Sequence, residues 1–274
     1  MAEAGQDIDG FYGERIDKLA ESMFPDGFLN FGYWSGIPSH QLDIQKRIHS
    51  GKKLYHQVLD DLLISPGDKL LEIGCGRGRG TALAATEYDP REVHGIDAVD
   101  RQVEKARKEN EDAIRVSSGR LNYTSANANS LPHSKNYFDK AYSVEVAVHF
   151  TDLRKIVREL DRVLKEKAVV SIASIFSPTH TVKLADWWGI LTKDEAPPST
   201  IQAHSVPDII EPLLQTRFDE IKVRSIGKHV WPGFNRYLDH LGVPKHSKRR
   251  NWLTAFESNI LDYYVITAKR GSEK

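Results

Sequence analysis

The residues from position 72 to position 78 combine one acid with three regularly spaced glycines. Glu72 lies within an apolar run and is followed by Gly74, Gly76 and Gly78 at alternate positions. Glycine adopts backbone conformations that other residues avoid, and it lets a ligand approach the main chain closely. A dinucleotide motif G-x-G-x-x-G would need glycine at position 79, where this chain has Arg79, and would place a pyrophosphate beside the acid. The carboxylate instead suits a ligand that contains an ammonium group.

A second acid, Asp97, ends the next predicted strand. Ligands of open parallel sheets bind outside the carboxyl ends of the strands, where the strand order reverses. A carboxylate at that place accepts hydrogen bonds from the two hydroxyl groups of a ribose. Asp97 therefore indicates an adenosine-type ligand, with an ordinary strand-end turn as the alternative.

The motif E-x-G-x-G-x-G at positions 72–78 resembles motif I of the class I S-adenosylmethionine (SAM) methyltransferases. Residues 127–139 resemble the segment of that family that contacts adenine, with its D-A-x-x-L-P-F and F-D pattern. Asn127 replaces the usual aspartate, although its amide oxygen can still accept a hydrogen bond from the adenine amino group, and His133 replaces a phenylalanine. The resemblance extends in ordered pieces over residues 70–176 and implies SAM as the cofactor and S-adenosylhomocysteine as the product. The residues that it implies for cofactor binding are Tyr33, Glu72, Gly74, Gly76, Gly78, Asp97, Asn127, Ala128 and Glu145.

The candidate catalytic residues follow the predicted fourth strand. Residues 143–150 resemble the S-x-E-x-x-x-H block of small-molecule methyltransferases, which implies that Glu145 and His149 face the transferred methyl group. A histidine with an ordinary pKa of ~6.5 can act as a general base near neutrality. We therefore predict that His149 removes a proton or orients the acceptor, with packing beside the cofactor as the alternative. His204 could assist from the following insertion, or could be a surface-loop residue.

Together these residues predict a SAM-dependent methyltransferase that acts on a small organic molecule, of the natural-product type. O-methylation is favoured because a histidine stands where a proton must leave. C- or N-methylation remains open, and so does a SAM-binding or cyclase-type protein that does not methylate. An NAD-dependent oxidoreductase is disfavoured by Glu72 and Arg79.

The elements that must position these residues alternate between strands and helices, as in a parallel α/β sheet. We predict a Rossmann-like α/β fold with a seven-stranded, mostly parallel sheet whose last strand is antiparallel. Asp152 can cap a helix before the fifth strand, and a turn at Glu166 and Lys167 would separate the two. That helix is predicted from apolar residues at helical spacing, namely Leu153, Ile156, Val157, Leu160 and Leu164.

Four regions are expected along the chain. Residues 1–64 would form a helical N-terminal cap, 65–176 the SAM-binding core, 177–217 a substrate-side insertion after the fifth strand, and 218–274 the strands that complete the core. Within the cap, the aromatic residues of positions 28–34 suggest a lid over the cofactor, with core packing as the alternative, and the best lid candidates are Tyr33 and Trp34. Further aromatic residues that could wall a substrate chamber or simply stabilise the insertion are Trp187, Trp188, Trp231 and Phe234.

Composition narrows the partners. The 38 lysines and arginines balance the 38 aspartates and glutamates, so no global positive field would attract nucleic acid. The single cysteine, Cys75, fits a reducing compartment, no apolar run is long enough to span a membrane, and no metal-ligand spacing is evident. We expect a cytoplasmic enzyme with a small-molecule substrate, without nucleic-acid, membrane or metal partners. Its oligomeric state stays open.

Overall fold

A computed structural model describes residues 23–184 and 202–272 of the chain. The strands in these ranges are β1 (Lys69–Ile73), β2 (Glu92–Asp97), β3 (Leu121–Ser125), β4 (Phe138–Val144), β5 (Leu164–Phe176), β6 (Val182–Lys183), β7 (Gln202–Ala203), β8 (Phe218–Ser225) and β9 (Asp262–Arg270). The α-helices are α1 (Ile44–Leu59), α2 (Arg79–Glu87), α3 (Asp100–Glu109), α4 (Glu111–Val116), α5 (Leu153–Val163), α6 (Val206–Leu214), α7 (Gly227–His240) and α8 (Asn251–Glu257).

The main sheet has seven strands in the order β3-β2-β1-β4-β5-β9-β8. Strands β1 to β5 pair in parallel, whereas β9 runs antiparallel to both β5 and β8. The predicted fold class is therefore confirmed. The strand order reverses between β1 and β4, so the carboxyl ends of β1, β2 and β4 meet at the place where such sheets bind ligands.

Helices cover both faces of the sheet. The buried side chains of α1, α2, α3 and α7 form one apolar cluster, and those of α5 and α6 form a second cluster on the other face. Helix α5 begins as predicted, because the Asp152 side chain accepts a hydrogen bond from the backbone N–H of Lys155. No helix in the described ranges combines the length and apolar character that a membrane crossing requires.

The start of the fifth strand differs from the prediction. Leu164 was expected to belong to the preceding helix, but β5 begins there, directly after α5. Glu166 and Lys167 were expected to form a turn, but both lie inside β5. The pairing register between β4 and β5 shifts near this point, and Lys167 has a positive φ of 64°. The chain thus absorbs the extra residues as a bulge within the strand instead of a turn before it.

The described part of the predicted insertion contains β6, β7 and α6. Ser205 and Asp208 form a reciprocal capping box at the start of α6. Ser177, just after β5, donates its backbone N–H to the carbonyl of His204 at 2.9 Å, which ties the insertion to the carboxyl end of the sheet. Trp187 and Trp188 lie outside the described residues, and the four predicted regions stay a prediction.

Candidate functional site

The glycine turn follows β1 and leads into α2. Gly74, Gly76 and Gly78 all have positive φ values, of 73°, 50° and 73°. A Cβ atom at Gly74 would lie 2.3 Å from Val146, and one at Gly78 would lie 2.5 Å from the ring of Tyr123. The first and third glycines are therefore required by both conformation and space. At Gly76 the nearest atom would be 3.4 Å away, so conformation is the main requirement.

Asp97 joins this turn to the end of β2. Its Oδ2 accepts a hydrogen bond from the backbone N–H of Gly76 at 2.9 Å, and its Oδ1 accepts one from that of Val99 at 3.0 Å. The residue is partly exposed. The structure thus places the carboxyl ends of β1, with Glu72, and β2, with Asp97, side by side at the switch point of the sheet, as the sequence predicted.

Glu72 lies beneath the turn and is fully buried. Its carboxylate accepts hydrogen bonds from the hydroxyls of Tyr55 at 3.1 Å and Tyr142 at 3.3 Å, and from that of Thr81. Burial raises the pKa of Glu72 to about 8, the three hydroxyls act in the opposite direction, and the nearby charge of Asp97 adds to the increase. The sequence pointed to direct contact with a ligand ammonium group, and in the structure the carboxylate contacts hydroxyls of α1, α2 and β4 instead. Its cofactor contact stays a prediction.

The predicted adenine segment follows β3. The backbone N–H of Ala126 donates to the carbonyl of Asp97 at 2.9 Å, which places the segment beside the end of β2. Asn127 is exposed, and its side-chain oxygen accepts hydrogen bonds from the backbone N–H of Asn129 at 2.8 Å and from its side chain at 3.0 Å. Ala128 is partly buried. Both residues therefore lie at the rim of the same strand-end edge.

Glu145 follows β4 in a left-handed conformation, with φ of 62°. Such a conformation is uncommon for a residue other than glycine and is typical of functional sites. Its carboxylate Oε1 accepts a hydrogen bond from the backbone N–H of Phe31 at 3.4 Å. Burial raises the pKa of Glu145 to about 8, whereas the Tyr263 hydroxyl, the Phe31 N–H and the Arg47 charge all act to lower it. The carboxyl group is therefore poised to change its charge near neutral pH.

His149 ends the 3-10 turn Ala147–His149 and is partly buried. Burial lowers the pKa of its imidazole to about 4. The ring is therefore neutral at pH 7, in the form that accepts a hydrogen bond or a proton. The neighbouring Val146 packs against Gly74, so this turn contacts the glycine turn.

His204 is not a surface-loop residue, since only 6% of it is exposed. Its Nε2 lies 2.7 Å from the carbonyl oxygen of Phe150, and a ring nitrogen facing a carbonyl must donate. Burial lowers the pKa of His204, and the hydrogen bond to Phe150 acts in the opposite direction. His204 thus holds the backbone next to His149, and its assistance to catalysis stays a prediction.

The two lid candidates in the aromatic segment at residues 28–34 differ in their burial. Trp34 is buried, its indole N–H donates to the carbonyl of Phe31 at 2.9 Å, and a Cβ at Gly233 of α7 would lie 2.1 Å from its side chain. Trp34 therefore packs in the core. Tyr33 is partly exposed, and its ring centroid lies 5.1 Å from that of His229. It keeps the partial exposure that a lid residue needs, and its cofactor role stays a prediction.

The predicted chamber residues on α7 pack against the same segment. The ring centroids of Trp231 and Phe234 each lie 5.0 Å from that of Phe31, and all three side chains are buried. They form an aromatic wall behind the peptide that contacts Glu145. Sequence reasoning missed three residues without a local motif. Tyr55 of α1 donates to Glu72, while the Tyr263 hydroxyl of β9 and the charge of Arg47 of α1 both lower the pKa of Glu145.

The charge of this edge fits a cationic ligand. Glu72, Asp97 and Glu145 lie at the carboxyl ends of neighbouring strands, and burial holds two of their pKa values near 8. A ligand with sulfonium and ammonium groups would favour the ionised forms of these carboxyl groups, so the residues present fit SAM. Within residues 23–184 and 202–272, no group of three or more His, Cys, Asp or Glu side chains could hold a metal ion. Burial raises the pKa of the Cys75 thiol, which leaves it protonated.

Comparison with known proteins gives the same assignment. Residues 71–172 match the family model described as a methyltransferase domain. An O-methyltransferase of Pyrenophora dematioidea is 29% identical over 231 residues, which are 82% of this chain and 80% of that protein. O-methyltransferase rstn1 of Aspergillus nomiae NRRL is 31% identical over 170 residues, which are 62% of this chain and 72% of that protein.

A solved structure shares the fold over nearly its whole length. Geranyl diphosphate C-methyltransferase from Streptomyces coelicolor A3(2), in complex with Mg²⁺, geranyl-S-thiolodiphosphate and S-adenosyl-L-homocysteine, superposes with a TM-score of 0.77. The two proteins are 16% identical, and the match covers 97% of this chain and 98% of the other. The fold, the glycine turn and the relatives agree: the chain belongs to the class I SAM-dependent methyltransferases. SAM is its methyl donor.

Proposed function

We propose that the protein is an O-methyltransferase that modifies a small organic molecule of the natural-product type. The observation that carries the proposal is the placement of His149 and Glu145 on one short loop directly after β4, at the carboxyl ends of the parallel strands. The two relatives described above are both O-methyltransferases by name. A hydroxyl acceptor needs a neighbouring proton acceptor, whereas a nucleophilic carbon or an unprotonated amine has less need of one.

Residues from several segments of this edge would hold the cofactor. In our proposal Asp97 binds the ribose hydroxyls and the segment with Asn127 and Ala128 binds the adenine. The glycine turn approaches the methionine part, with Tyr33 and Glu145 nearby, while Glu72 supports the turn through its three hydroxyl partners. When bound, SAM supplies a methyl group on a positively charged sulfur, which a nucleophile displaces in line.

The chain's own residues orient the acceptor and remove its proton. His149 accepts a hydrogen bond from the acceptor hydroxyl, because its lowered pKa keeps the imidazole neutral at pH 7. A proton acceptor works best when its pKa lies near the working pH, a condition that Glu145, at about 8, meets better than His149. We therefore propose that His149 orients the hydroxyl and passes its proton on to the ionised form of the Glu145 carboxyl group, which keeps the proton after methyl transfer. His204 holds the His149 turn through Phe150.

The test is methyl transfer to a panel of phenols, alcohols, carboxylic acids, amines and carbon nucleophiles, with the products identified by mass spectrometry. We expect methyl ethers or esters, and we expect His149→Phe to lower kcat by about 100-fold or more with little change in the Kd for SAM. His246→Phe, at an exposed histidine, is the matched control and should leave kcat unchanged. Methylation at carbon or nitrogen, full activity of His149→Phe, or no S-adenosylhomocysteine release with any acceptor would each refute the proposal.

A further inference from the structure

Arg47 of α1 is a buried charged residue that has no role in the proposed reaction. Only 1% of the residue is exposed. Its Nε donates to the carbonyl of Met23 at 3.1 Å, its Nη1 to the Ser50 hydroxyl at 3.2 Å, and its Nη2 to the carbonyl of Asn30. Across residues 23–184 and 202–272, no carboxylate oxygen lies at ion-pair distance from this guanidinium. Its hydrogen-bond acceptors are therefore neutral.

Aromatic rings complete the surroundings of the guanidinium. Its central carbon lies 5.5 to 5.9 Å from the ring centroids of Phe24, Trp34, Phe234 and Tyr237. Ring faces attract a cation, but they replace only part of its hydration. Burial lowers the pKa of Arg47 to about 10, so the side chain still has its charge at neutral pH. A protein rarely buries such a charge without a partner or a task.

One peptide unit lies between this charge and the site. The carbonyl of Asn30 accepts the Arg47 hydrogen bond, and the N–H of Phe31, in the same peptide unit, donates to Glu145 Oε1 at 3.4 Å. A cation at the carbonyl end of an amide polarises it and strengthens the N–H at the other end as a donor. Arg47 and Glu145 are therefore coupled through a single amide.

The peptide is held firmly in this position. The Asn30 side chain donates to the carbonyl of Gly51 at 3.2 Å and accepts from the N–H of Gly32 at 2.9 Å. On the other side, the Phe31 carbonyl accepts the Trp34 indole N–H at 2.9 Å. The amide between the two charges is thus fixed by its neighbours.

We propose that Arg47 is a positioning residue for Glu145, and that it acts through the peptide unit between Asn30 and Phe31 to stabilise the ionised form of the Glu145 carboxyl group and to hold that group in place for methyl transfer. The catalytic part of this inference rests on the proposed function. The relay itself rests on the contacts alone.

The effect of removing Arg47 on the pKa of Glu145 depends on the other groups that face the Glu145 carboxyl. Besides Arg47 and the Phe31 N–H, these are the Tyr263 hydroxyl from β9 and, at longer range, Tyr55 of α1. Arg47 is the cation among them. Without it, burial raises the pKa of Glu145 further, and each unit of increase lowers the ionised fraction at pH 7 about tenfold.

The experiment compares three variants of the full chain. Arg47→Met removes the charge but keeps a long apolar side chain among the rings, and Arg47→Lys keeps the charge but loses the planar fork. Arg270→Met is the matched control. Arg270 is also fully buried, and its Nε donates to the carbonyl of Asp161 at 2.8 Å, although it pairs with the Asp161 carboxylate as well, at 3.0 Å. It ends β9 beside the start of β5, at the opposite end of the parallel strands from Glu145.

The first readout is the titration of the Glu145 carboxyl in cofactor-free protein, taken from infrared difference spectra against Glu145→Gln. We expect the titration to move to higher pH in Arg47→Met, to move less in Arg47→Lys, and to stay in place in Arg270→Met. An unmoved titration in Arg47→Met, or an equal movement in Arg270→Met, would overturn the relay. If Arg47→Met does not fold, Arg47→Lys decides, and an unmoved titration there would overturn it.

The second readout is the pH dependence of kcat. We expect kcat of Arg47→Met to be about tenfold or more below the parent at pH 7, and the gap to narrow as the pH rises. A pH-independent loss of kcat would refute the role in catalysis. A moved titration in a protein that methylates no hydroxyl acceptor would instead refute the proposed function and leave the relay standing.

Discussion

Gly78 offers a sharp test of how the cofactor turn is built. The residue has φ of 73°, and its N–H and carbonyl both take part in the turn: the N–H donates to Cys75 O at 2.8 Å, and the carbonyl accepts from the Tyr123 hydroxyl at 2.7 Å. In Gly78→Ala a new methyl group would lie 2.5 Å from the Tyr123 ring. The substitution therefore adds backbone strain and steric overlap together.

The two contributions can be estimated separately. A left-handed conformation costs a residue other than glycine about 1–2 kcal/mol. Overpacking against a buried side chain costs about 1–3 kcal/mol, and Tyr123 is buried. We expect Gly78→Ala to lower the free energy of unfolding by about 2–5 kcal/mol.

Gly119 provides a matched control for the strain alone. Its φ is 81°, but no atom lies within 4 Å of where its Cβ would be. Gly119→Ala should therefore cost only about 1–2 kcal/mol. The difference between the two variants isolates the overlap with Tyr123.

Urea denaturation of both variants measures this difference, and calorimetric titration measures the Kd for SAM. We expect Gly78→Ala to raise that Kd at least tenfold, because the turn must shift away from Tyr123, and Gly119→Ala to leave it unchanged. Equal destabilisation of the two variants, within about 0.5 kcal/mol, would show that the turn accommodates the added methyl group without steric cost. Our estimate of the overlap with Tyr123 would then be wrong.

Two further substitutions test the groups around the turn. Burial raises the pKa of Glu72 from 4.5 to about 8. Between these two values the folded protein keeps a proton that the unfolded chain releases. The free energy of unfolding should therefore fall as the pH rises from about 5 to 8. Glu72→Gln should make that fall shallower in urea titrations, the remainder being due to Glu145, and an unchanged slope would contradict the assignment. His204→Phe leaves the Phe150 carbonyl without its buried donor and should cost about 1–3 kcal/mol in stability. It should also lower kcat with an unchanged Kd for SAM, whereas unaltered kcat would exclude a role for His204 in holding the His149 turn.

The parts that sequence predicted are those encoded locally. The acid and glycines of the first turn, Asp97 at the end of β2 and the helix cap at Asp152 each depend on neighbours within a few positions. The parallel pairing of β1 to β5 follows from the alternation of strands with helices. Local pattern and global fold agree in these places, and the prediction was confirmed.

The parts that sequence did not predict depend on contacts between distant segments. Nothing near Glu72 in the chain shows that hydroxyls from Tyr55 and Tyr142 would cover its carboxylate. Arg47 lies among several lysines in a helix that reads as a solvated basic surface, yet it is buried. The bulge at Lys167 likewise arises from pairing with β4, which the residue itself does not reveal.

The same non-local contacts explain how several acidic side chains can lie together at the carboxyl ends of the parallel strands. An ionised carboxylate is expensive to bury, so each acid here has a compensating group: hydroxyls for Glu72, backbone N–H groups for Asp97, and the Phe31 N–H for Glu145. Compensation is incomplete for two of these acids, because burial still raises the pKa of Glu72 and that of Glu145 to about 8. A positive charge bound nearby favours the ionised form of a carboxyl group, so a cationic ligand such as SAM would complete the compensation that the protein begins.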